Sequence, residues 1–277
     1  MIEKTFQMRP SRVLKKLRAG EVVYCTKIDL TDVRAVQIAS MSGFDCLWTC
    51  MEHTANDWSV IERVIIAAKI HGVDTIVRTA RGSYSDYIRH LELDAAGVMI
   101  PHIMSLEDAK TVIRHIKFHP VGLRPLAGGN TDAGFGALTH QEYIIQANEQ
   151  RFNILQIEDV EPLNELEEII ALPGLDMIFF GPADFSQSIG VPGQLNHPYL
   201  LETRKRIADL AKKHGKFAGT VGSLENAATL IEEGYQFLGI GSDVIALDHY
   251  FKDLMQTLTK QNFKRVSSIY ETDNKRE

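Results

Sequence analysis

Short apolar runs recur along the chain, and each is followed by a stretch in which apolar residues return every three or four positions. The runs fall at 22–28, 44–48, 73–77, 97–100, 154–157, 176–180, 217–221 and 237–240. They are short and several are rich in β-branched or aromatic residues, which suits strands covered on both faces. The stretches between them carry helical spacing. Trp58, Ile61, Ile65 and Ala68 form one stripe, closed by Gly72 at a C′ position. Leu106, Ala109, Ile113 and Ile116 form another, opened by Ser105 with Asp108 as its capping-box partner. Leu163, Leu166 and Ile170 form a third, and Val244, Leu247, Phe251, Leu254 and Leu258 the last. Eight strand-like runs alternating with helices predict a single (β/α)8 barrel over 1–266, with a polar tail at 267–277. A doubly wound sheet is the competing architecture, and it usually has fewer strands. The gap between the fourth and fifth runs is long. It holds GLRPLAGGNTDAGFG (122–136) and a helical stretch at 139–151. Such an insertion is expected to serve as an active-site loop.

In barrels the chemistry gathers at the C-terminal ends of the strands, so the polar residues there matter most. The second run leads into Glu52 and His53, and the third into Arg78. The fifth leads into Gln156, Glu158 and Asp159, and the sixth into Gly181, Pro182, Ala183 and Asp184. Glu158 and Asp184, on adjacent strand ends, are two hard carboxylates able to hold Mg²⁺ or Mn²⁺ with coordination sites to spare. The alternative is that each pairs with an arginine or caps a helix. Arg78 is placed to clamp a carboxylate or stabilise an enolate, or to pair with Glu52 or Glu158. His53 is a candidate general base. Glu92, in the helix before the fourth strand, either orients His53 or is a solvated helix carboxylate. The glycines at 219–223 and 239–243 either cradle a phosphate or make tight turns. Lys27 is the one plausible Schiff-base lysine. Cys46 and Cys50 read as small packing residues.

Composition narrows the classes of partner. The 277 residues carry 30 Lys and Arg against 36 Asp and Glu, a net charge of -6. That excess lacks the clustered basic surface a nucleic-acid binder needs. No apolar run approaches the roughly 20 residues of a membrane span, and the first ten residues have no signal-peptide core. Three cysteines without zinc-type spacing point to reduced thiols in a cytoplasmic protein.

Five segments together carry a family resemblance: GFDCLWTCMEH (43–53), TIVR (75–78), VMIPHI (98–103), LQIED (155–159) and GPADFSQSIGVPG (181–193). Their order and spacing resemble the HpcH/HpaI aldolase family, the metal-dependent class II pyruvate aldolases of the 2-keto-3-deoxy sugar acid type, across about 22–258. The resemblance implies a barrel assembled into a homo-oligomer, a trimer or hexamer, commonly with the last helix exchanged between subunits. It implies a divalent metal (Mg²⁺, Mn²⁺ or Co²⁺) on Glu158 and Asp184, an enolate-stabilising Arg78, and an acid/base dyad of His53 and Glu92. Gln156 matches a pyruvate-pocket residue, and Gly181, Pro182 and Ala183 match the donor carboxylate site. The implied reaction splits a 4-hydroxy-2-oxo acid into pyruvate and an aldehyde, or joins them. Oxaloacetate decarboxylation, or other 2-oxo-acid lyase work on the same site, is the nearest alternative. A non-catalytic metal- or metabolite-binding barrel is the alternative from another class. Two departures stand out: Cys50 occupies a position that is Asp in many relatives, and the 122–136 segment differs from the commoner pattern.

Overall fold

The computed structural model describes residues 6–264. Eight parallel strands close into a barrel in chain order. They are β1 (Val23–Ile28), β2 (Cys46–Cys50), β3 (Asp74–Arg78), β4 (Gly97–Ile100), β5 (Phe152–Ile157), β6 (Met177–Phe180), β7 (Phe217–Gly222) and β8 (Phe237–Ser242). The helices are α1 (Arg12–Arg18), α2 (Val33–Met41), α3 (Trp58–Ile70), α4 (Tyr84–Glu92), α5 (Leu106–Ile116), α6 (His140–Gln150), α7 (Leu166–Ile170), α8 (Pro182–Ser188), α9 (Pro198–Lys213), α10 (Ala227–Glu232) and α11 (Asp243–Thr259). The (β/α)8 expectation holds. The tail at 267–277 lies outside the described residues. Among the described residues no helix is long and apolar enough to cross a membrane.

The strands hold because they are buried on both faces: every residue of β2, β3, β4, β5 and β6 is buried. Trp48, Ile76, Met99, Ile154, Phe179 and Phe237 fill the barrel, and Val13, Leu14 and Leu17 of α1 plug it from below. Outside, Val98, Ile100, Leu155, Ile157, Ile178 and Phe180 pack under the helices. A Cβ on Gly219 would come within 2.7 Å of the Phe179 ring, so this glycine is needed for packing inside the barrel. Ser105 accepts the Asp108 N–H at 3.2 Å, but Asp108 answers to the Met104 N–H at 3.1 Å, so only half of the expected capping box forms.

The long insertion is not where the sequence reading puts it. Each helix returns the chain from the C-terminal mouth of the barrel to its N-terminal floor, and the insertion follows α5, not β4. Lys117 ties its start to the Arg151 carbonyl at 2.9 Å and to Asp176 at 2.7 Å, both just before strands begin. Gln146 and Gln150 of α6 accept the N–H groups of Met8 and Ser11, beside the plug helix. Arg124, Asp132 and the Tyr143 hydroxyl form a buried hydrogen-bonded cluster there. Within one chain the 122–136 segment therefore belongs to the floor and borders no mouth residue.

Candidate active site

Register places the first two mouth residues side by side, since Cys50 pairs with Arg78 across β2 and β3. Arg78 lies over the Trp48 ring, 5.0 Å from its centroid. Its Nε and Nη2 both point at the Cys50 sulfur at 3.3 Å. Its Nε is also 3.0 Å from Glu52 Oε2. The ion pair considered for Arg78 thus forms with Glu52, and a mouth position and an ion pair coexist. The His53 backbone N–H approaches the same sulfur at 3.5 Å. Its imidazole is 55% exposed and 3.5 Å from Glu52 Oε2.

Glu158 follows β5 and is 1% exposed. It accepts the His102 backbone N–H at 2.9 Å and the Gln156 side-chain amide. A Cβ on Gly181 would come within 2.6 Å of Glu158 Oε2 and 2.8 Å of Gln156 Nε2, so only glycine leaves this carboxylate in place. Burial pushes the Glu158 carboxyl up to about 7; the Asp184 charge adds to this, while His102 and Arg78 work against it. Asp184 sits in the first turn of α8 without capping it, and makes no hydrogen bond or ion pair among the described residues. Two neighbouring carboxylates, one buried and one without a cation, suit a divalent ion. Among the described residues no group of three His, Cys, Asp or Glu side chains is arranged to hold one. The two carboxylates of Glu158 and Asp184 are what the chain offers here.

Gln156 Oε1 is buried without a partner, a free acceptor in the same pocket. The Gly181 N–H is bonded to the Ile157 carbonyl at 3.0 Å, and Pro182 has none. That leaves the amides of Ala183 and Asp184, in the first turn of α8, as available donors.

His102 is the mouth residue the sequence reading did not single out. Its backbone is left-handed, with φ 49°, which costs a non-glycine residue about 1 kcal/mol. Its Nδ1 is 2.8 Å from Asp159 Oδ2 and its Nε2 3.6 Å from Glu52 Oε1. Burial lowers its pKa, but Asp159, Glu158 and Glu52 outweigh this and raise it. The available signal was its place in VMIPHI, two residues beyond the end of β4.

Glu92 is not at the mouth. It ends α4, two residues before Asp94, which is bound into the floor by Arg9, Lys69 and Arg151. Its own neighbours are Arg124, Asp132 and Arg89, and burial is the main reason its pKa is raised. Within one chain it cannot orient His53, because α4 carries it to the opposite end of the barrel. Lys27 is paired with Asp29 at 2.9 Å.

A closed parallel barrel with carboxylates, a buried arginine and an open histidine at its C-terminal mouth has the layout of a barrel enzyme. The chain belongs to the HpcH/HpaI aldolase/citrate lyase family, whose pattern matches residues 28–249. It is 32% identical over 231 residues to the 2-dehydro-3,6-dideoxy-6-sulfogluconate aldolase of Pseudomonas putida, covering 83% of this chain and 90% of that one. It is 30% identical over 239 residues to the hydroxypyruvate/pyruvate aldolase of Roseobacter denitrificans, covering 84% and 91%. Among solved structures, the HpcH/HpaI aldolase of Desulfitobacterium hafniense superposes with a TM-score of 0.84 at 29% identity, covering 90% of this chain and 97% of that one. The protein is a carbon–carbon lyase of the aldolase type.

Proposed function

We propose that the protein cleaves, or forms, the C–C bond between pyruvate and an aldehyde in a 4-hydroxy-2-oxo acid. The observation that carries this reading is a buried guanidinium on one side of the mouth and an uncompensated carboxylate pair on the other. Glu158 and Asp184 would hold a divalent cation (Mg²⁺, Mn²⁺ or Co²⁺), which would supply Lewis-acid polarisation of the 2-oxo group. Arg78 holds fixed positive charge where the enolate oxygen develops. Gln156 and the backbone of Gly181, Pro182 and Ala183 wall the donor end. His53 takes the proton of the 4-hydroxyl as the bond breaks and returns it in synthesis.

An oligomer completes this reading. No residue of α11 is buried in a single chain, although Val244, Leu247, Phe251, Leu254 and Leu258 form the stripe read from the sequence. Leu258 is 76% exposed and Tyr250 58%. Such a face on a lone chain is costly, and a second copy would cover it. An assembly is also the arrangement that can bring a Glu92 to His53.

Deuterium exchange into the methyl group of pyruvate, followed by NMR with Mn²⁺ or Mg²⁺ and again with EDTA, tests the donor half before the aldehyde is known. Metal-dependent exchange is expected. Exchange that survives EDTA would point back to Lys27, and no exchange with metal bound would point to a non-catalytic barrel or another oxo acid.

A further inference from the structure

Cys50 ends β2 and is fully buried. A packing residue would need nothing from its sulfur. Here one sulfur faces three N–H groups: Nε and Nη2 of Arg78 at 3.3 Å and the His53 backbone at 3.5 Å. The cysteine is itself held, because its carbonyl accepts the Asn56 side-chain amide at 2.9 Å and the Thr54 hydroxyl. A guanidinium is planar, so acceptors in its plane and a ring on its face fix its position and tilt. Cys50 takes one edge of Arg78, the Glu52 carboxylate lies 3.0 Å from Nε as a counter-charge without a hydrogen bond, Trp48 takes the face, and Nη1 has no hydrogen-bond partner among the described residues.

We propose that Cys50 is a positioning residue for Arg78. Its sulfur holds the guanidinium by one edge without forming the bidentate pair a carboxylate would form. A carboxylate at position 50 would neutralise the cation as it anchored it. A thiol adds no second carboxylate to the Glu52 already beside Nε, and so leaves more of the cation's charge for a substrate oxygen. The same sulfur ties the turn carrying His53 to the end of β3. This rests on the reading above, in which Arg78 stabilises an enolate.

The test compares Cys50→Ala, Cys50→Ser, Arg78→Ala and the Cys50→Ala/Arg78→Ala pair. The readouts are pyruvate methyl exchange, kcat and KM for cleavage, and the urea unfolding midpoint. Losing the anchor should slow exchange and kcat by about tenfold, the value of one charge-assisted hydrogen bond, with KM little changed. Cys50→Ser should recover much of this, since a hydroxyl also accepts. In the Arg78→Ala background, Cys50→Ala should cost nothing further in exchange, because there is no guanidinium left to position. Wild-type exchange in Cys50→Ala, or a full tenfold additional loss in the pair, would overturn the positioning role. A Cys50→Ala loss explained by a lower unfolding midpoint and unrelieved by serine would also overturn it. Wild-type exchange in Arg78→Ala sinks instead the enolate reading on which the proposal rests.

Discussion

At the floor of the barrel, Asp45, Asp74 and Asp94 meet Arg9, Arg12, Lys16, Lys69 and Arg151, so three buried carboxylates share five cations. At the mouth, Glu52, Glu158, Asp159 and Asp184 stand around Arg78 and His102. The two ends are built from the same residue types and have opposite balances. The floor closes its network and fastens α1, the insertion and the strand starts into one body. The mouth leaves negative charge in excess: burial, with the Asp184 charge adding to it, raises the Glu158 pKa, and holding that carboxylate ionised works against the fold. A protein keeps such an excess where a ligand completes it. Stability and chemistry are thereby divided along the barrel axis.

Asp184→Asn breaks the comparison hardest. It removes one of the mouth's surplus carboxylates, so metal-dependent turnover should disappear. The metal-free protein should unfold at the same urea concentration or a higher one, because a repulsive charge beside Glu158 is gone. Unchanged turnover would remove Asp184 from the ligand pair. Arg151→Ala makes the opposite cut at the floor. Arg151 is buried against Asp94, and losing one partner of a buried pair should lower stability by about 3–5 kcal/mol. At a temperature where the variant is folded, its KM and kcat should match those of the parent. A selective kinetic defect there would show that the two ends are not separable.

Gly181→Ala is smaller and sharper. The added methyl would press on Glu158 Oε2 and Gln156 Nε2. Its effect should fall on metal affinity, by about 10- to 100-fold, as for other changes that misplace a ligand's support. Titration with Mn²⁺ followed by EPR reads this directly. An affinity equal to the parent's would mean that Glu158 moves aside freely and is not held in place by its surroundings.

The same division explains what the sequence disclosed. Strands buried on both faces announce themselves as short apolar runs, and the polar residues after them fall at the mouth by topology alone. The run at 44–48 lies two residues early against β2 because Phe44 and Asp45 serve the outer layer and the floor. That shift is what brings Cys50 level with Arg78. His102 is not legible from its residue type, because its importance comes from a left-handed backbone that turns its N–H onto Glu158, and histidine adopts that conformation too seldom for the sequence to signal it. The family motif places Glu92 opposite His53 by residue count alone. Counting fixes a residue's place on a helix but not which end of which chain it meets. The insertion differs from expectation for a related reason: spacing along the chain attaches it to the preceding strand, but the intervening α5 carries the chain to the floor first.

The smallest expected effect separates acid damage to the fold from acid damage to the mouth. His90 of α4 is buried, stacks on Trp58 at 4.7 Å, and neither ring nitrogen has a hydrogen-bond partner among the described residues. Burial pushes its pKa down to about 3, with Asp86 pulling weakly the other way. The native protein therefore keeps a neutral ring, while the unfolded chain takes up a proton below its ordinary value of 6.5. The stability involved is fully present above about pH 6.5 and drains away as the pH falls from there towards 3. Between pH 7 and 5.5 the loss from this group should be about 1 kcal/mol. His90→Phe keeps the ring stack, strands no polar partner and cannot titrate. Urea unfolding at the two pH values should show the parent losing about 1 kcal/mol more than the variant; parallel losses would clear His90 of any part in acid sensitivity. In the variant, whatever activity still falls between pH 7 and 5.5 belongs to the mouth, and the floor's share can be read from the stability that remains.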